Sequence, residues 1–260
     1  PYFYFFSDKN HIRYFYRNRL GYSKLKTRIS IFRNYSNLGK SLIDRIYAMS
    51  GNAYKFSYDF EGEQYLHEMV KNGKGGLLIS AHLGNWEIAG SLLDRINAKV
   101  NIVMYDAEHK KIKDAVEKST NAKKVHIIVV KNDLSHIYEI QHAFENNELV
   151  CIHADRFVEG SKTIACEFFS ENALFPFGPF YLALQFNVPY TFVFALKETT
   201  KHYHFYASKP AIIEKPSNIV LREKVIKQMC SDYINQLEQK VLIAPYQWYN
   251  YHGFWINESK

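Results

Sequence analysis

The sequence predicts an α/β fold: a single domain with a mixed, largely parallel central sheet flanked by helices, preceded by a helical, basic N-terminal segment. Three features lead there. From residue 75 onward, short apolar or β-branched runs alternate with stretches of helical periodicity. Several of those runs are apolar throughout, as strands covered on both faces are. The first 60 residues instead combine helical spacing with an excess of basic residues. The chain therefore divides into a lead-in, 1–60, and a main α/β domain, 61–260.

In chain order, Leu38, Leu42, Ile43 and Ile46 recur at helical spacing, and Gly51 stops that pattern. Residues 63–71 read as a second helix, broken by Gly73. Strands follow at 76–81, 99–104, 125–130, 149–153, 164–169, 190–196 and 202–207. Helices are expected at 85–96, 134–146, 178–186 and 219–240. No repeat, low-complexity tract or Pro/Gly/Ser linker interrupts the chain.

Composition narrows the class. In 260 residues, 47% apolar and 23% charged content supplies a folded core and argues against wholesale disorder. Cys151, Cys166 and Cys230 are odd in number and far apart, which fits reduced thiols in the core rather than a disulfide framework. Residues 1–40 carry nine Lys/Arg against one acid, Asp8, whereas the whole chain is only +7. Eleven aromatics lie in the same stretch, including the opening run Tyr2 to Phe6. Cations interleaved with Tyr and Phe suit an anionic bilayer surface. Nucleic acid attracts the same charges, but no recognition motif accompanies them. No apolar run reaches the ~18–20 residues of a spanning helix. The expectation is peripheral attachment, or an anchor upstream of Pro1.

The chemistry concentrates in residues 79–90, Ile-Ser-Ala-His-Leu-Gly-Asn-Trp-Glu-Ile-Ala-Gly. An apolar strand ends at Ala81, His82 follows, and Gly84 permits a tight turn. Asn85 is a plausible helix N-cap. Glu87 then falls in the first helical turn, where side chains lean back toward the loop carrying His82. A histidine held by a carboxylate is the arrangement of a general base. Backbone N–H groups near Gly84 and Asn85 are candidate oxyanion donors.

His82-Leu-Gly-Asn-Trp-Glu87 resembles the His-x4-Asp/Glu box of the lysophospholipid acyltransferase superfamily, in the His-x-Gly-Asn-Trp-Glu form of bacterial lipid A late acyltransferases. Two later blocks agree in order. Ala154-Asp155-Arg156 with Gly160, then Phe168-Phe169 and Phe175-Pro-Phe-Gly-Pro-Phe-Tyr-Leu-Ala183, is similar to the family's Asp-containing block and Pro-x-Gly-Pro stretch. Pro245-Tyr-Gln-Trp248 with Tyr251-His252 is similar to its Pro-x-Gln-Trp ending. The C-terminus departs from the arginine-rich family string, and after Met104 the chain offers Lys110, Lys111 and Lys113 where relatives carry arginines. Arginine and lysine differ as phosphate ligands, so the acceptor stays open.

The resemblance implies direct acyl transfer, from an acyl carrier protein thioester or acyl-CoA, to a hydroxyl of a lipid A-type acceptor at the cytoplasmic face of the bacterial inner membrane. His82 and Glu87 would be catalytic. Asp155, Arg156, Lys162, Gly178 and Pro179 would bind substrate, with Arg156 holding a phosphate or pairing with Asp155 or Glu159. Phe168, Phe169, Phe175, Phe177 and Phe180 would line an acyl groove or fill the core. No cofactor, metal or nucleic acid is implied. The chain lacks a Gly-x-Ser-x-Gly elbow and a His-Glu-x-x-His helix. The rival readings are an acyltransferase of another glycolipid or amino-lipid and a non-catalytic lipid-binding protein.

Overall fold

Among the described residues, seven strands form one sheet in the order β1-β9-β8-β2-β5-β3-β4. They are β1 (Ser57–Glu61), β2 (Gly76–Ser80), β3 (Val100–Tyr105), β4 (Val125–Val130), β5 (Leu149–His153), β8 (Tyr190–Lys197) and β9 (His202–Ala207). Every neighbouring pair is parallel except β8 and β9, which makes the sheet mixed and largely parallel as expected. The remaining strands, β6 (Thr163–Phe168) and β7 (Glu171–Pro176), form a separate antiparallel hairpin. The computed structural model describes residues 9–89, 95, 96, 98–105, 125–131 and 133–258.

The helices are α1 (Asn10–Tyr14), α2 (Lys24–Tyr47), α3 (Glu63–Lys71), α4 (Trp86–Ala89), α5 (Ser135–Glu145), α6 (Gly178–Phe186) and α7 (Ile219–Ile243). Local chemistry sets their starts. The Ser23 hydroxyl accepts from the Lys26 amide at 3.2 Å, and the Asn218 side chain accepts from the amides of Val220 and Leu221. Pro179 occupies the first turn of α6, where its missing N–H costs nothing. Residues 90–94 of the helix expected over 85–96 lie outside the described residues. So do Lys110, Lys111, Lys113 and the opening aromatic run.

Strand alternation divides the core. Leu77 and Ile79 of β2 face the main cluster with α6 and α7, while Leu78 faces a smaller one with Met69, Val100 and Leu149. Along α7, Ile226, Met229, Cys230, Tyr233, Ile234, Leu237 and Val241 are buried at helical spacing. Tyr233 also donates to the Ser80 carbonyl at 2.9 Å, tying this helix to the end of β2. Cys166 and Cys230 are buried free thiols.

Two strands had no clear sequence signal. β1 is an edge strand paired only with β9, and its acids Asp59 and Glu61 mask the alternation of Tyr58 and Phe60. The division of the chain at residue 60 consequently falls inside a strand. β7 follows β6 after Phe169 and Ser170, both at positive φ (50° and 59°), which closes a two-residue hairpin without glycine.

The lead-in is also less separate than its composition implies. Ile12, Phe15, Tyr16 and Ile31 belong to the main core. Phe15 meets the Trp248 ring edge-on at 4.9 Å. No described helix is long and apolar enough to cross a membrane.

Phe168, Phe175 and Phe180 are fully buried core residues rather than the walls of a groove. Phe168 touches the rings of Phe175, Trp248, Phe254 and Trp255. Phe168→Ala should therefore cost about 3–5 kcal/mol, read as a lower urea midpoint at unchanged m-value.

Candidate active site

The register of β2 and β5 builds the site. Ser80 pairs with His153 as the last pair of the two strands, and two residues further along each chain segment come His82 and Asp155. Two chemically active side chains thus emerge side by side at the carboxyl ends of adjacent parallel strands, where α/β folds place their ligands. The Ala154 amide donates to the Ser80 carbonyl at 2.9 Å and extends the pairing between the two strands.

His82 Nδ1 lies 2.8 Å from Asp155 Oδ1. Asp155 Oδ2 accepts from the His82 backbone amide at 2.9 Å and from the Trp248 indole N–H at 3.1 Å. The carboxylate is fully buried, whereas the His82 side chain keeps 16% exposure to the cleft. Burial alone would raise the Asp155 pKa. The charge and hydrogen bond of His82, with Arg156 and His153 nearby, outweigh it and hold the carboxyl well below the usual range.

The loop after His82 is fixed by backbone bonds. The Tyr249 amide donates to the His82 carbonyl, Gly84 to that of Gln247, and Asn85 to that of Ala195. Gly84 has φ +74°, and a Cβ there would stand 1.9 Å from the Ala195 oxygen, so the turn requires glycine. These bonds correct one expectation. The N–H groups of Gly84 and Asn85 are engaged by backbone carbonyls, so both residues build the turn rather than offering an oxyanion site. The Asn85 side chain is likewise taken, donating to Ser41 and Tyr203.

Asp155, expected among the substrate-binding residues, is instead buried against His82 Nδ1, in the orienting position that the spacing suggests for Glu87. Glu87 lies in α4, and its side chain is outside the described residues.

A cleft with two arms meets at His82. One arm, of about 280 Å³, passes between α5 and α6 and is lined by Ile137, Ile140, Lys162, Gly178, Pro179 and Leu182. The other, of about 360 Å³, runs beside α2 and includes Leu38, Leu42, Arg45, Trp86 and Tyr249. His82, His153, Arg156, Val103 and Met104 line both arms. An apolar cavity of about 120 Å³ shares Trp86 and Ile102 with the α2 arm.

A family model described as bacterial lipid A biosynthesis acyltransferase matches residues 26–256. The chain belongs to the bacterial lipid A biosynthesis acyltransferase family. It is an acyltransferase of lipid biosynthesis. Among solved structures it is similar to the 1-acyl-sn-glycerophosphate (LPA) acyltransferase PlsC from Thermotoga maritima. Identity is 13%, the match covers 88% of this chain and 95% of that one, and the TM-score is 0.37. No curated protein matches the chain.

The acyltransferase brings its three sequence blocks together through Asp155. Arg156 lines the cleft and donates to the Tyr249 carbonyl at 2.8 Å. Lys162 reaches the rim, pairing with Glu223 at 2.9 Å and lying over the Phe177 ring. Burial, aided by Arg156, pushes the half-buried His252 down to about 4 and keeps it neutral near pH 7.

Sequence reasoning overlooked His153, whose ring centroid is 4.2 Å from that of His82, and gave Trp248 no role beyond the motif. Only strand register sets His153 beside His82. Its position at the end of an apolar run was the available signal.

Asp155→Asn should lower kcat by about 10⁴-fold with little change in KM, because an amide in this position favours the wrong imidazole tautomer. The substitution should also destabilise the fold near neutral pH. Because the folded-state pKa is depressed, the carboxylate's contribution is fully present above its unfolded value of about 3.9. It is lost as pH falls through the lower folded value, so the stability gap to Asp155→Asn should close on acidification, as measured by urea titrations across pH.

Proposed function

We propose that this acyltransferase moves a fatty acyl group from an acyl carrier protein thioester, or from acyl-CoA, to a hydroxyl of a lipid A-type glycolipid. The acceptor would be drawn from the cytoplasmic face of the bacterial inner membrane. The observation that carries the reading is the pairing of His82 Nδ1 with the buried Asp155 carboxylate, at a point where two arms of a cleft meet.

With Nδ1 engaged, proton transfer falls to Nε2. Nε2 removes the acceptor hydroxyl proton as that oxygen attacks the thioester carbonyl carbon. The tetrahedral intermediate collapses, the C–S bond breaks, and the thiolate takes the same proton from Nε2. Asp155 fixes the tautomer and stabilises the transient imidazolium. Both substrates occupy the cleft together, which its two arms accommodate, and no acyl-enzyme is required.

The α5–α6 arm suits the donor. Its wall between α5 and α6 is largely apolar, and Lys162 at the rim with Arg156 near His82 supplies charge for a phosphopantetheine phosphate. Gly178 and Pro179 shape its wall at the start of α6. The α2 arm is then assigned to the acceptor, with Arg45 and Arg156 facing anionic headgroup atoms. Glu87 keeps its proposed place as a second catalytic carboxylate on the strength of the motif. The basic lead-in supports attraction to anionic lipid and to an acidic carrier protein.

The test incubates the purified protein with acyl-carrier thioester, or acyl-CoA, and total lipid extract. Mass spectrometry should find one lipid class gaining a single acyl group, with His82→Ala and Glu87→Ala each lowering the rate about 10²-fold or more. No gain with either donor and folded protein would sink direct transfer. A gain on a lipid other than a lipid A-type glycolipid would keep the chemistry and replace the acceptor.

A further inference from the structure

The burial pattern of α2 is inverted. Asn34 is 0% exposed and Ser30 1%, while on the other side Leu25 is 69% exposed, Phe32 59% and Ile43 66%. At 3.6 residues per turn, Leu25, Ile29, Phe32, Ile43, Ile46 and Tyr47 lie along one outward stripe, as two apolar groups with Ser36 and Gly39 between them. It is about 100° wide and about 33 Å long. Arg28 on one flank, and Arg33 and Lys40 on the other, border that stripe. The one acid of the helix, Asp44, points elsewhere: it pairs with Lys197 and accepts from the Tyr203 hydroxyl.

The inward polar face has a specific task. Asn34 donates to the Trp248 carbonyl at 2.8 Å and accepts from the Tyr251 hydroxyl, and Ser41 meets the Tyr249 hydroxyl at 3.1 Å. Asn34 and Ser41 thus hold the segment that braces Asp155 and His82, while Ser30 bonds the Lys26 carbonyl within the helix. Leu38, Leu42 and Arg45 of the same helix line one arm of the catalytic cleft.

We propose that the outward face of α2 seats the acyltransferase on an anionic bilayer, with the helix lying in the interface plane, so that the α2 arm of the cleft opens at the lipid surface. An apolar stripe flanked by cations is the pattern of an interfacial helix. The basic border selects an anionic bilayer over a second copy of this chain, whose own α2 would present like charge to it. This deepens the membrane part of the proposed function. The acceptor would enter the cleft along α2 without leaving the bilayer.

The experiment measures co-sedimentation of the full chain with vesicles of phosphatidylglycerol and phosphatidylcholine, and with phosphatidylcholine alone. The native protein should prefer the anionic vesicles. Arg28→Gln/Arg33→Gln should weaken that binding about 30-fold. Ile29→Asp/Phe32→Asp should abolish it at unchanged melting temperature, and Ile219→Asp, at the exposed start of α7, should leave it intact. His82→Ala should bind as the native protein does, which separates failure of this inference from failure of the catalytic reading. Three results would overturn the proposal: no vesicle binding by the native chain, unchanged binding by both α2 variants, or a native dimer that Ile29→Asp/Phe32→Asp converts to monomer.

Discussion

The buried carboxylate of Asp155 is the constraint around which this acyltransferase is arranged. An ionised group without solvent is costly unless several donors converge on it. Here the imidazole and the backbone amide of His82 and the indole of Trp248 do so. Those donors come from loops 73 and 93 residues away along the chain, so the carboxylate acts as a knot tying β2, β5 and the C-terminal segment. The requirement that stabilises the charge is also the one that orients the His82 imidazole, the proposed base. Stability and chemistry therefore draw on the same atoms.

The aromatic cluster behind the site serves this arrangement. Phe15, Phe168, Phe254 and Trp255 pack against Trp248 and hold its indole in position. The β6–β7 hairpin, which stands apart from the main sheet, supplies part of that packing through Phe168. The Trp255 indole donates back to the Phe168 carbonyl at 2.9 Å and closes the group. Residues that look like a lipid-contacting run in the sequence thus work one layer beneath the His82–Asp155 pair.

The N-terminal helices join the same framework from the other side. Tyr16 donates to the Pro245 carbonyl and Asn37 to that of Tyr246, adding to the grip of α2 on the final segment. An arm that merely followed the membrane would not need buried asparagine and serine. Their burial shows that the lead-in is a structural part of the wall of the cleft at His82.

The sequence by itself determined the alternation of strands and helices, the mixed sheet, the family and the histidine at a strand end. These are written in local periodicity and in short contiguous motifs, which require no knowledge of distant partners. It could not determine which carboxylate meets His82 Nδ1, because Glu87 is near in sequence while Asp155 is near only through the Ser80–His153 register. Nor could it show that the Gly84 and Asn85 amides are already bonded, or that Phe168, Phe175 and Phe180 face the core. Those facts depend on which strand lies beside which. Hydrogen-bond pairing between segments far apart in the chain sets that order, so only the tertiary structure decided them.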